Sequence, residues 1–72
     1  MEDTKQLEGG MVWRANKIAV DGYDSEDGNF RIIPSKSSGF VLVAFEHEDE
    51  NGHIWTKRFP TFENAMAYAE RM

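Results

Sequence analysis

The sequence contains no cysteine, and only two of its 72 residues are proline. Without thiols the chain can form neither disulfide bonds nor thiolate metal sites, so packing alone must stabilise the domain. No apolar run approaches the ~20 residues that cross a bilayer, and residues 1–10 are polar and acidic, unlike a signal peptide. We therefore expect a cytoplasmic protein that does not contact a membrane.

Basic residues are scarce as well. Eight lysines and arginines stand against thirteen aspartates and glutamates, which gives a formal net charge of −5. A negative domain repels a polyanion at long range unless its basic groups are gathered on one face. The charge balance therefore disfavours nucleic acid as a partner.

Motifs for catalysis and metal binding are also missing. No serine can be placed against a histidine and a carboxylate, and there is no cysteine nucleophile. The acidic stretch 21–28 lacks the residue order and distal glutamate of a calcium loop. His47 and His53 fall on opposite faces of a predicted strand pair, which does not suit a shared zinc ion. We predict a protein that is not an enzyme and carries no cofactor or metal.

Aromatic residues are plentiful, at 12% of the chain. Their large buried areas favour a folded domain over disorder, and a chain of this length builds one hydrophobic core at most. Residues 1–10 lack a hydrophobic period and end in two glycines. We interpret residues 1–10 as a flexible acidic tail and residues 11–72 as a single small α+β domain.

The last third of the chain carries the clearest pattern, a β-hairpin around Asn51 and Gly52. Residues 40–45 are continuously apolar, which is typical of a strand buried on both faces. A two-residue type I′ turn would pair Glu46 with Lys57 and Ala44 with Phe59. A three-residue loop with a glycine bulge would slip the register by one residue and exchange the faces.

A C-terminal helix is predicted from residue 62 to residue 72. Thr61 is a suitable N-cap, and Glu63 lies in the first turn, where the helix dipole favours a carboxylate. Apolar residues recur at helical spacing and define one buried stripe. The stripe comprises Phe62, Ala65, Met66, Ala69 and Met72.

Upstream of the hairpin the signals are weaker. Residues 11–20 favour a strand, 21–29 a loop, 30–33 a short strand ended by Pro34, and 35–39 a polar connection. Together these elements predict an α+β fold. We expect a three- to four-stranded antiparallel sheet with one C-terminal helix packed on one face.

In the type I′ register the two faces of the hairpin are both apolar. One face carries Phe40, Leu42, Ala44, Trp55 and Phe59, and the other carries Val41, Val43, Phe45 and Ile54. A single helix covers only one face. The second face would be covered by the segment around Trp13, by a second copy of the chain or by a partner, because large solvated apolar patches are uncommon.

The motif Phe59-x-Thr61-x-Glu63-x-Ala65, following two strands and opening a helix, resembles the C-terminal part of AP2 and integrase arm-type domains. The resemblance covers about the last half of the chain. Those domains combine a three-stranded sheet with a helix and lay the sheet in the DNA major groove. For this chain the resemblance implies that sheet residues face DNA. These residues are Arg31, Trp55, Lys57 and Arg58.

Carboxylates concentrate in two predicted loops. Among them we expect a protein partner to contact Asp24, Glu26, Asp27, Glu46, Glu48, Asp49 and Glu50, with Trp55, Lys57 and Arg58 contributing from the sheet. Carboxylates spaced like phosphates can occupy a basic groove and speed association. The alternative is that both loops are acidic only for solubility. The acidic character resembles that of small accessory proteins of phages and other mobile elements, which implies a role in blocking host or defence proteins.

We therefore predict a non-enzymatic protein-binding or inhibitor module. One alternative is a DNA-binding module of the integrase-arm class. That alternative requires the basic residues Arg14, Lys17, Arg31, Lys57 and Arg58 to converge on one face. A second alternative is a homodimer whose subunits cover each other's open sheet face.

Overall fold

The structure is a computed structural model and describes residues 4–16 and 21–72. Within these ranges one antiparallel sheet contains six strands in chain order, and a single helix follows the last strand. The strands are β1 (Thr4–Gln6), β2 (Val12–Ala15), β3 (Tyr23–Ser25), β4 (Phe30–Pro34), β5 (Phe40–Glu48) and β6 (Ile54–Phe59). The helix, α1, spans Phe62–Ala69. Each strand therefore pairs with its neighbours in sequence.

The α+β class and the C-terminal helix are confirmed, but the expected number of strands was wrong. The two additional strands, β1 and β3, have three residues each. They lie in residues 1–10, interpreted as a tail, and in residues 21–29, interpreted as a loop. A strand of three residues is too short to show an alternating pattern, and its formation depends on pairing with neighbouring strands, β2 for β1 and both β2 and β4 for β3. Residues 17–20 of the strand predicted over 11–20 lie outside the described residues.

The core lies between the sheet and α1. Trp13, Ile32 and Leu42 are its largest fully buried side chains. The helix packs on β4, β5 and β6 and buries four residues of the predicted stripe, Phe62, Ala65, Met66 and Ala69. We call this side of the sheet the covered face. Trp13 belongs to it, so the segment around Trp13 does not cover the opposite face.

The helix begins as the sequence predicts. The Oγ1 of Thr61 accepts a hydrogen bond from the backbone N–H of Asn64 at 3.1 Å, which satisfies one of the unpaired donors of the first turn. It ends at Ala69, earlier than predicted, and Met72 is exposed beyond it.

The predicted register of the β5–β6 hairpin was wrong. Ala44 pairs with Trp55 instead of Phe59, and Leu42, not Glu46, lies opposite Lys57. Two irregularities produce this arrangement. The N–H of Asp49 donates to the carbonyl of His53 at 2.8 Å, so a three-residue loop, residues 50–52, closes the tip. Between the pairs Ala44–Trp55 and Glu48–Ile54 the β5 strand contains three residues for which β6 has no counterpart.

The predicted division of side chains between the faces nevertheless holds in the regular part of the hairpin. The loop shifts the register by one residue and the bulge by three more, and an even total returns each side chain to its original face. Phe40, Leu42, Ala44, Trp55 and Phe59 accordingly lie on or against the core. We call the opposite side of the sheet the open face.

Candidate partner-binding surfaces

Three hairpin turns lie at the same end of the sheet. In a meander of antiparallel strands alternate turns share an end, so the β1–β2, β3–β4 and β5–β6 turns come together. We call this region the acidic end because of the side chains that its turns and the adjoining end of β5 carry. They are Glu8, Glu26, Asp27, Glu46, Glu48, Asp49 and Glu50.

The helix also finishes at the acidic end. Gly10, in the β1–β2 turn, leaves room for the carboxylate of Glu70, which a Cβ atom at residue 10 would meet. Arg71 follows Glu70 and is the basic residue that the helix brings to this end. Carboxylates therefore outnumber cations there.

The tip of the β5–β6 hairpin is held by Asp49. Its Oδ1 accepts hydrogen bonds from the backbone N–H of Asn51 at 2.8 Å and of His53 at 3.0 Å. The backbone N–H of Gly52 donates to the carbonyl of Asp49 at 3.0 Å, and the φ of +82° at Gly52 suits a residue without Cβ. Asp49 thus shapes the turn. The side chains of Glu46, Glu48 and Glu50 are exposed.

The β3–β4 turn is organised in a similar way. The Oδ1 of Asp27 accepts from the backbone N–H of Asn29 at 3.0 Å and from the hydroxyl of Ser25 at 2.7 Å. These two bonds, the Asn29 bond first, hold the pKa of Asp27 below its usual value because they stabilise the carboxylate. Ser25 is buried, and its Oγ also accepts from the backbone N–H of Phe30 at 3.0 Å. Glu26 is exposed beside Asp27.

Asp24 does not lie in an acidic loop, contrary to prediction. It belongs to β3 and forms an ion pair with Arg31, with 2.8 Å between Oδ1 and Nε. The amide of Asn16 donates to the same oxygen at 3.0 Å. The hydrogen bond from Arg31 is the main reason that the pKa of Asp24 is lowered. Its position on β3, opposite Arg31 on β4, explains the pairing.

The open face mixes apolar and basic side chains. Ile33, Val41 and Val43 are half-buried, whereas Phe45 and Ile54 are 40% and 51% exposed. A row of paired positions runs across the strands: Arg14, Asp24, Arg31, Val43 and Thr56. Arg31 also places its guanidinium carbon 5.1 Å from the ring centroid of Phe45.

The sheet residues expected to face DNA divide between the two faces. Arg31 and Arg58 lie on the open face with Arg14, but Trp55 and Lys57 point toward the helix. Trp55 stacks on Tyr68 with ring centroids 5.5 Å apart, and the Nζ of Lys57 lies 5.0 Å from the Tyr68 centroid. The expected convergence of basic residues therefore fails at Lys57. Lys17 lies outside the described residues.

The aromatic group beside β6 was missed in the sequence. Tyr68 is partly exposed and contacts both Trp55 and Phe59, the latter with ring centroids 5.2 Å apart. The sequence did contain evidence for this group. Tyr68 falls outside the buried stripe of the helix, and the preceding hairpin has two aromatic residues on one face. Without the β5–β6 register, the three rings could not be placed together.

Within residues 4–16 and 21–72, no group of three or more histidine, cysteine, aspartate and glutamate side chains is arranged to hold a metal ion. No helix in the described part of the chain is long and apolar enough to cross a membrane. Comparison with protein-family models, curated proteins and solved structures found no match to this chain.

Proposed function

We propose that this protein is a non-enzymatic protein-binding module that presents its acidic end to a basic surface of its partner. The observation that supports the proposal is the meeting of three acidic turns at one end of the sheet. The resemblance to small acidic proteins of mobile elements extends the proposal to an inhibitor that occupies the nucleic-acid site of a host or defence protein.

The acidic end combines two kinds of carboxylate. Asp27 and Asp49 are fixed by hydrogen bonds within their turns, so they keep a defined position. Glu26, Glu48 and Glu50 are exposed and can reorient to meet lysine or arginine side chains. Such an arrangement speeds association with a basic surface, and the effect weakens as salt rises.

A charge-matched comparison tests the proposal. Proteins would be captured from host lysate, with and without nuclease treatment, by three tagged proteins. They are the wild type, the tip variant Glu48→Gln/Glu50→Gln and the control Asp21→Asn/Glu63→Gln. Both variants remove two negative charges, but only the first removes them from the acidic end. We expect a captured protein to be retained at low salt by the wild type and the control, and to be lost from the tip variant.

Equal capture by all three proteins would contradict a role for the β5–β6 tip. Capture that depends on nucleic acid, disappearing after nuclease treatment, would favour a different function. In that case the bound nucleic acid would be identified from the untreated lysate.

The second candidate function is DNA binding through the open face. The observation that favours it is the presence of Arg14, Arg31 and Arg58 on that face. Duplex binding would be measured against salt, comparing Arg14→Gln/Arg58→Gln with the control Lys36→Gln/Lys57→Gln. DNA binding predicts a salt-dependent affinity that falls more in the arginine variant. If the wild-type protein does not bind the DNA duplex even at low salt, this candidate is excluded.

A homodimer is the third candidate, because exposed Phe45 and Ile54 on the open face could be buried against a second copy. It predicts a melting temperature that rises with protein concentration. A melting temperature independent of concentration, together with a monomeric sedimentation coefficient, would contradict it.

A further inference from the structure

The outer edge of β6 differs from the other edge of the sheet. The strand has six residues, whereas β1 at the opposite edge has three. No strand among the described residues pairs with the outer side of β6. A long exposed edge presents unpaired backbone donors and acceptors that can bind an extended chain.

The hydrogen-bond pattern identifies the backbone groups on this edge. The N–H of Phe45 donates to the carbonyl of Asn29 at 2.9 Å, so Phe45 and alternate residues of β5 bond toward β4. The intervening residues Leu42 and Ala44 therefore bond toward β6, where they pair with Lys57 and Trp55. By the same alternation, the N–H and C=O groups of the remaining β6 residues, Thr56 and Arg58, point outward.

A shallow depression lies beside this edge on the helix side. It is lined by Phe59, Asn64, Ala67, Tyr68 and Arg71. The Tyr68 ring packs on Trp55 and Phe59, and the ammonium group of Lys57 lies near the face of this ring. A side chain of an added strand that projects toward the helix would meet this aromatic surface and two basic groups.

The charges at this edge select between partners. Lys57 and Arg58 are adjacent and exposed, and Arg58 is oriented by a hydrogen bond from its Nη1 to the hydroxyl of Ser37 at 2.7 Å. Two-fold pairing centred here with a second copy would bring like charges together, which is destabilising. A strand carrying carboxylates would instead be attracted. Glu48 pairs with Ile54 and would repel a carboxylate at that end of β6. The attraction is therefore confined to the half of β6 from Thr56 to Phe59.

We propose that β6 binds an extended acidic peptide segment of a partner protein as a seventh strand. Its backbone pairs with Thr56 and Arg58; its carboxylates on the helix side lie near Lys57 and Arg71, and those on the open-face side lie near Arg58. Apart from Arg71, which also lies at the acidic end, this surface is distinct from the acidic end, so the two can be tested separately.

The test uses a capped six-residue peptide in which glutamates and valines alternate in pairs, so that the extended strand presents carboxylates on both faces. The peptide would be titrated into the full chain and followed through backbone amide signals by NMR. We expect shifts concentrated on β6 and slower hydrogen exchange at the amides of Thr56 and Arg58. A peptide methylated on alternate backbone nitrogens keeps the same side chains but cannot pair, and should not bind.

The charge requirement is tested separately. A lysine–valine peptide should fail to bind. Lys57→Gln/Arg58→Gln should weaken binding of the glutamate–valine peptide roughly threefold to tenfold, whereas the control Arg14→Gln/Lys36→Gln should change it by less than about twofold.

Any one of four results of the peptide experiments would overturn the proposal. They are no amide shifts at millimolar peptide, shifts confined to the open face, equal binding of the methylated peptide, and equal binding of the lysine–valine peptide. Protection of the β6 amides that rises with protein concentration in the absence of peptide would also overturn it, since a second copy would then occupy the edge.

Discussion

The covered and open faces are built from the same strands but contribute differently to the protein. Neighbouring residues of one strand point to opposite faces, so Ile32 is fully buried on the covered face while Ile33 is half-exposed on the open face. Complete burial of one such side chain stabilises a fold by roughly 1.5–3 kcal/mol. The difference in burial predicts that the covered face contributes most of the stability, and that substitutions on the open face cost less.

The largest expected difference between the faces comes from two identical substitutions. Ile32→Ala removes a fully buried side chain and should lower the free energy of unfolding by about 2–5 kcal/mol. Ile33→Ala, one residue away, should lower it by about 1 kcal/mol, because its side chain is already partly solvated. Urea denaturation of both variants measures the difference. Equal losses would mean that another chain covers the open face in solution.

Ser25 tests a buried polar contact of the covered face. Ser25→Ala removes the acceptor for the backbone N–H of Phe30 and the donor to Asp27. Leaving the buried N–H unpaired should cost about 1–3 kcal/mol. Ser38→Ala, at an exposed serine of another turn, is the control and should change stability by less than about 0.5 kcal/mol. If Ser25→Ala leaves the free energy of unfolding unchanged, a water molecule has replaced the hydroxyl.

The Asp24–Arg31 ion pair is the corresponding test of the open face. Asp24→Asn should lower stability at neutral pH by less than about 1 kcal/mol, since the pair is partly solvated. The pKa of Asp24 is lowered in the folded protein from an ordinary value of 3.8, so the pair stabilises the fold above that pH. Its contribution is lost as the pH falls through the folded pKa.

Urea denaturation from pH 7 to pH 2 measures this effect. The difference between wild type and Asp24→Asn should shrink as the pH falls below the ordinary value. A difference that is constant across the range would mean that the ion pair does not stabilise the native state.

The smallest stability change is expected at Ile54, whose side chain is about half exposed on the open face. Ile54→Thr retains a β-branched residue and should alter the free energy of unfolding by less than about 0.5 kcal/mol. Any effect of this substitution on binding or self-association would therefore reflect the surface and not the fold. A loss above about 1.5 kcal/mol would place Ile54 in the core.

The regions with strong local signals were predicted from sequence. The hairpin around Asn51 and Gly52, the N-cap at Thr61 and the buried stripe of α1 all follow from short-range chemistry, and the structure contains each of them. The strands β1 and β3 could not be predicted in the same way. Each is three residues long and owes its conformation to pairing with neighbouring strands, β2 for β1 and both β2 and β4 for β3, which local composition does not show.

The candidate surfaces were predicted only in part. The glutamates of the hairpin tip are exposed as expected, but Asp24 is paired because β3 and β4 place it opposite Arg31. Lys57 was expected with Arg58 on a common surface, yet neighbouring residues of a strand point to opposite faces. These positions depend on strand pairing. The partner of Asp24 in particular depends on the β3–β4 register, which the sequence does not show.

The bulge in β5 has a consequence for how this protein can change over time. Because the register is reset between the tip and the regular part of the hairpin, residues 48–53 can gain, lose or exchange amino acids while the pairs from Phe40 to Ala44 stay in place. Selection on binding specificity can then act on the tip independently of selection on folding. The same separation makes the tip a suitable position for grafting new recognition sequences.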